Sequence, residues 1–226
     1  MKHKSSEFTS CIQRVSDDLQ SSDEDARAKF REAFAGELES CVIATGTALG
    51  LWERLRNGIH DDDSRRIAVA GIAFTAINAH MMSFKLFMSG YTVASGNLFR
   101  LVLEGISLAA LTSVKELNVL ERYMAEEYSP NLAVRDLVKY RKLARVRADG
   151  VQMVSTQYKA YHKYAHLTIG TIVAGANLSQ GGIPHVGAFF DPARLAAYGS
   201  EFRSRISFSR VLPNFITGVA RNVANW

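Results

Sequence analysis

The chain has 226 residues, 47% of them hydrophobic and 22% charged, a balance that excludes a disordered polymer and leaves ample length for a buried core. Two cysteines, Cys11 and Cys41, are too few for a disulfide framework or a four-cysteine zinc site, and the polar start MKHKSSEFTSC lacks a leader pattern; a cytoplasmic location is expected. The formal net charge of +5 hides an asymmetry: residues 1–129 carry 14 basic and 18 acidic side chains, residues 130–226 carry 13 and 4, so the second half is expected to attract RNA, another polyanion or an acidic partner.

Phe8, Ile12, Val15 and Leu19 fall at helical spacing and predict a short amphipathic helix within a polar, partly flexible segment, 1–22. Ser22 and Asp25 stand at capping-box spacing and the acidic run 23–25 suits a helix N-terminus, so a long helix is expected to begin here. Along it Phe34, Leu38, Cys41, Thr45, Ala48, Trp52, Leu55 and Ile59 alternate steps of four and three. That stripe suits a partner helix and, through it, a homodimer. Gly58 is placed to end the helix in the left-handed conformation, and Asp63 or Ser64 to cap the next.

The second long helix is expected to reach about Ser89. Its residues 67–84 are uncharged, the lower edge of a membrane-spanning length, but Asn78, His80 and the many alanines favour a buried core helix over a membrane partner. Gly90 breaks the pattern, which resumes at Val93, Leu98, Leu101, Val102, Ile106, Leu108 and Leu111 as a third helix antiparallel to the second. Ser129 and Pro130 then open a basic amphipathic helix expected to end before Asp149 and Gly150. Lys139, Arg141, Lys142, Arg145 and Arg147 are its candidates for nucleic-acid binding, the alternatives being contact with anionic lipid or plain solvated surface. A further helix is expected over 151–178. The segment SQGGIPHVGAFFDP follows as a functional cover or a simple connection, and Asp191 and Pro192 open a last helix, kinked or broken at Pro213. With no strand alternation and no repeat, the expected fold is all-α: one domain, 1–226, built as a multi-helix bundle with long antiparallel helices.

Two constellations carry chemistry. Arg100 and Glu104 are four apart within apolar LFRLVLEGISLAAL, which predicts a partly buried pair serving either as an ion pair or as a site. YKAYHKYAHLTIG places Tyr158, His162 and His166 at steps of four on one helix face, with Tyr161 and Tyr164 beside them. Imidazoles at that spacing suit a metal or general base chemistry, but there is no HExxH and no further ligand at the right distance, so neither metal nor cofactor is expected. Arg54 and His60 have the spacing of a nuclease-type pair, yet an arginine-rich chain produces that spacing by chance. GxSxG, the P-loop and GxGxxG are all missing, which disfavours nucleotide hydrolysis and dinucleotide chemistry.

The stretch HMMSFKLFMSGYTVASGNLFRLVLEGISLAAL, followed by YKAYHKYAHLTIG, resembles a group of bacterial all-helical proteins distantly similar to abortive-infection proteins and HEPN domains. Gly90, Ala94, Arg100 and Glu104 match the hairpin turn and the charged pair of that group, Tyr158 or Tyr161 and His166 its later helix, over about residues 66–175. Active HEPN members cleave RNA without a metal through an arginine, four to six residues, and a histidine. Here the one such pair, Arg54 and His60, lies early, and His166 has no arginine at that distance before it. Two functions follow. The first is a non-catalytic interaction or defence-associated module in which the polar residues tie helices together. The alternative is a HEPN-like ribonuclease or nucleic-acid-binding protein, with Arg100 holding phosphate, Glu104 orienting it, Tyr161 beside them and His166 as general acid or base.

Overall fold

Small side chains let helices approach closely, and the alanine-rich helix α3 (Ser64–Met88) packs antiparallel on α4 (Thr92–Thr112) as the central hairpin. The computed structural model describes residues 2–166 and 168–226, with side-chain surroundings for these except 2–8, 163 and 165. Gly90 turns the hairpin at φ 89°, and the Phe189 backbone occupies the space of any added Cβ, so only glycine fits. Ser95 Oγ donates to the Ser83 carbonyl at 2.7 Å and Ser83 Oγ to the Ser95 carbonyl at 3.1 Å, which pins the two helices together.

Helix α2 (Glu24–Asn57) lies against α3 and against α9 (Leu195–Val223), the last long helix. On the other side of α4 pack α6 (Pro130–Tyr140) and α7 (Ala148–Tyr161). The remaining elements among the described residues are short or peripheral: α1 (Lys2–Leu19), α5 (Val119–Met124), α8 (Ile169–Ala174) and a two-stranded ribbon pairing β1 (Ala176–Asn177) with β2 (Ile183–Pro184). The all-α bundle is therefore observed. Its main core joins α2, α3, α4, α6, α7 and α9. A second, aromatic core gathers Phe30, Phe34, Phe84, Phe87, Tyr198 and Phe202, with Phe34 stacked on Phe202 at 4.7 Å. Helices α3 and α4 are long and apolar enough to cross a membrane, but half or more of each apolar stretch is buried in the protein.

Several local expectations are corrected. The α2 stripe is spent inside the chain: Phe34, Cys41, Thr45, Ala48, Leu55 and Ile59 are buried, so it is not a free dimer face. In α1 the expected apolar face points to water, with Ile12 70% and Leu19 79% exposed; the Phe8 side chain lies outside the described set. No capping box forms at Ser22, because Asp23 takes the N-cap position at φ 55° and its carboxylate accepts the Tyr91 hydroxyl instead. Gly58 ends α2 at φ −87°, not left-handed. Asp63 does cap α3, accepting from Arg66 N at 3.0 Å. The basic helix stops at Tyr140, and residues 141–145 form turns with Arg145 at φ 56°. The helix expected over 151–178 ends at Tyr161 and gives way to a 3-10 turn at 162–165. Pro213 leaves α9 as one continuous helix, its missing N–H costing a hydrogen bond without a break.

His80 is fully buried on α3 among Phe84, Phe99 and Phe208. Its Nε2 lies 2.7 Å from Ser209 Oγ, which donates to the Arg205 carbonyl, so His80 donates and its Nδ1 is left unpartnered. Burial, aided by the Arg205 charge, lowers its pKa to about 3. An unfolded histidine titrates near 6.5. Between those values the unfolded chain takes up a proton that the folded chain refuses, so stability falls with acidification. Urea unfolding below pH 6 is expected to lose roughly 1.4 kcal/mol per pH unit through this residue. His80→Gln should flatten that slope; an unchanged slope contradicts the assignment.

Candidate functional site

Arg100 and Glu104 share one face of α4, as their spacing requires, and the side chain that completes the cluster comes from α7. Arg100 Nε donates to Glu104 Oε1 at 3.1 Å, a second guanidinium nitrogen meets the Tyr158 hydroxyl at 3.1 Å, and that hydroxyl lies 2.9 Å from the same Glu104 oxygen. The guanidinium also rests over the Tyr158 ring, 5.3 Å from its centre. Burial and the bond to Glu104 raise the Tyr158 pKa. The triangle is half-buried, with side-chain exposures of 20% for Arg100 and 15% for Glu104, and its three members satisfy one another.

Tyr161 stands elsewhere. It is buried at 2% exposure, and its hydroxyl donates to Glu201 Oε2 at 2.5 Å and lies 3.0 Å from Arg205. Tyr164 takes the other Glu201 oxygen at 2.7 Å, with its ring seated where any Cβ on Gly96 would be. Arg205, wholly buried on α9, reaches Glu201 at 2.9 Å, Ser95 Oγ at 2.7 Å and Ser83 Oγ at 3.3 Å, and sits among the rings of Phe87, Phe99 and Tyr161. Burial alone would raise the Glu201 pKa, but the Arg205 charge and the two tyrosine hydroxyls outweigh it and hold the carboxyl below its usual range. The same carboxylate and the burial push both phenols well above theirs.

The expected four-residue constellation is therefore two groups. Arg100 and Glu104 meet Tyr158, while Tyr161 belongs to the Glu201–Arg205 network. His166 has left the helix: its backbone is extended, at φ −131° and ψ 154°. It is exposed and packs on His162 at 4.8 Å between ring centres; His162 in turn lies 6.5 Å from the Tyr158 ring. The histidine thus sits two side chains away from the charged pair. The best-formed cavities among the described residues are lined by none of Arg100, Glu104, Tyr158, His162 and His166. No group of three or more metal-ligating side chains converges among them either.

Glu201 and Arg205 were missed as a pair, although four-residue spacing among Phe202, Ile206 and Phe208 is the very signal that singled out Arg100 and Glu104. Of the basic candidates, Lys139, Lys142, Arg145 and Arg147 are exposed and Arg141 half-buried. Arg147 is paired with Asp149 at 2.6 Å, and Lys139 lies over the Tyr140 ring. No protein-family model, curated protein or solved structure matches this chain.

The two clusters differ in how far they are desolvated. Arg205→Met strands the Glu201 carboxylate beside two phenols and is expected to cost about 3 to 5 kcal/mol in urea unfolding. Arg100→Ala, whose partners reach water, should cost only about 1 to 2 kcal/mol. Equal losses would show that burial does not separate the two roles.

Proposed function

We propose that this chain is a non-catalytic helical interaction module that pairs with a second copy of itself. The observation that carries the reading is that the polar groups are engaged within two separate clusters, each spanning helices: both Glu201 oxygens with Tyr161, Tyr164 and Arg205 in one, and Arg100, Glu104 and Tyr158 in the other. A catalyst needs groups free to meet a substrate in a concave site.

The contact face follows from the uncharged runs. Residues 40–52 of α2 and 67–84 of α3 carry no charge; Val42, 62% exposed, and Met81 line one apolar hollow between the two helices, and Ile43, Phe74 and Met82 are exposed on the same two helices. An uncharged patch has nothing to select a charged partner, whereas a second copy would present the same apolar side chains to it about a two-fold axis. Light scattering coupled to size exclusion should give twice the 25.0 kDa chain mass, reduced to one chain by Val42→Glu with Met81→Glu at unchanged helical content. A wild-type monomer at tens of micromolar, a concentration well above the dissociation constants of stable dimers, overturns the reading.

Binding of RNA through Lys139, Lys142 and Arg145 is the second reading, supported by three exposed cations with no carboxylate paired to them among the described residues. It expects salt-sensitive RNA retention, lost on reversing these charges, with the RNA left intact. Cleavage abolished by His166→Ala would instead restore the ribonuclease reading.

A further inference from the structure

We propose that the chain binds a small phosphate monoester with an apolar body in a cavity at the far end of the bundle, away from both polar clusters. The cavity, about 520 Å3, lies between the last turns of α2 and α9 and the first turn of α3. This volume lies within the range of small-molecule sites, roughly 300 to 1,000 Å3. Three guanidinium groups line it, Arg54, Arg66 and Arg221, and no carboxylate does; Leu51, Ile59 and Val223 supply apolar wall.

The three arginines are held differently. Arg66 is anchored by Asp63 at 3.2 Å and by the Trp226 carbonyl at 2.9 Å, yet its Nε is buried without a partner. Arg54 and Arg221 are exposed and take part in no ion pair among the described residues. Their places in the last turns of α2 and α9 also let them serve the negative ends of those helices. Helix ends account for Arg54 and Arg221 and the Asp63 pair for Arg66, but none of these accounts for the convergence of all three on one apolar-walled cavity. Guanidinium groups bind phosphate oxygens through paired N–H donors, and the two unpaired arginines, with the anchored Arg66 beside them, favour a dianionic head on an apolar body over a carboxylate. His60, though near in sequence, is not among the lining residues.

This proposal is independent of self-association and of RNA binding. Calorimetric titration at low salt should show phenyl phosphate binding about tenfold more tightly than inorganic phosphate, a difference of roughly 1.4 kcal/mol. Arg54→Gln with Arg221→Gln should weaken phenyl phosphate at least as much, and Lys29→Gln, outside the cavity, should leave it unchanged. Thr217→Leu, which fills the cavity without altering charge, should abolish the preference for phenyl phosphate and guards against a double variant that fails to fold. Equal affinity for the two probes, undiminished binding in the arginine variant, or an undisturbed preference in Thr217→Leu overturns the proposal.

Discussion

A fully buried guanidinium has to find its partners inside the protein, and Arg205 imposes that condition on four helices at once. Taking an arginine out of water costs several kcal/mol unless charge and hydrogen bonds replace its hydration. Here Ser83 of α3, Ser95 of α4, Tyr161 of α7 and Glu201 of α9 itself supply them, and three aromatic rings enclose the cation. The pairing of α3 with α4 through their reciprocal serine bonds, and the seat of Tyr164 on Gly96, are arranged around this one group. A hydrophobic side chain would be cheaper to bury, but it would not select the register of four helices as directional bonds do.

The same physics assigns the histidines and tyrosines their roles. Tyr161 and Tyr164 face a carboxylate that Arg205 keeps charged, so their protons are held more tightly than in water and they act as fixed donors. His80, sealed among phenylalanines, stays neutral and bonds to Ser209. Exposed His162 and His166 pack edge-on against each other near the Arg100–Glu104–Tyr158 triangle without joining it. The polar side chains of both clusters thereby bond helix to helix.

Much of this was legible in the residue order. Helical periodicity and the breakers at Gly58, Gly90 and Pro130 marked α2, α3, α4 and the start of α6 closely, and Asp63 was readable as a cap, because these are local preferences of the chain. The Arg100–Glu104 pair was equally local, being one turn apart on a single helix. Endings set by tertiary packing were not legible: α6 stops at Tyr140 and α7 at Tyr161 without a glycine or proline at either point.

The sequence by itself determined an all-α chain with a charged pair on an apolar helix and an electropositive second half, since spacing and composition act residue by residue. Only the tertiary structure decided that Tyr158, not Tyr161, completes that pair, that His166 stands outside it, and that the α2 stripe is consumed within the chain. Those outcomes depend on how far one helix is turned and slid against another, and that register is set by the buried bonds of Arg205 and by the packing of whole faces.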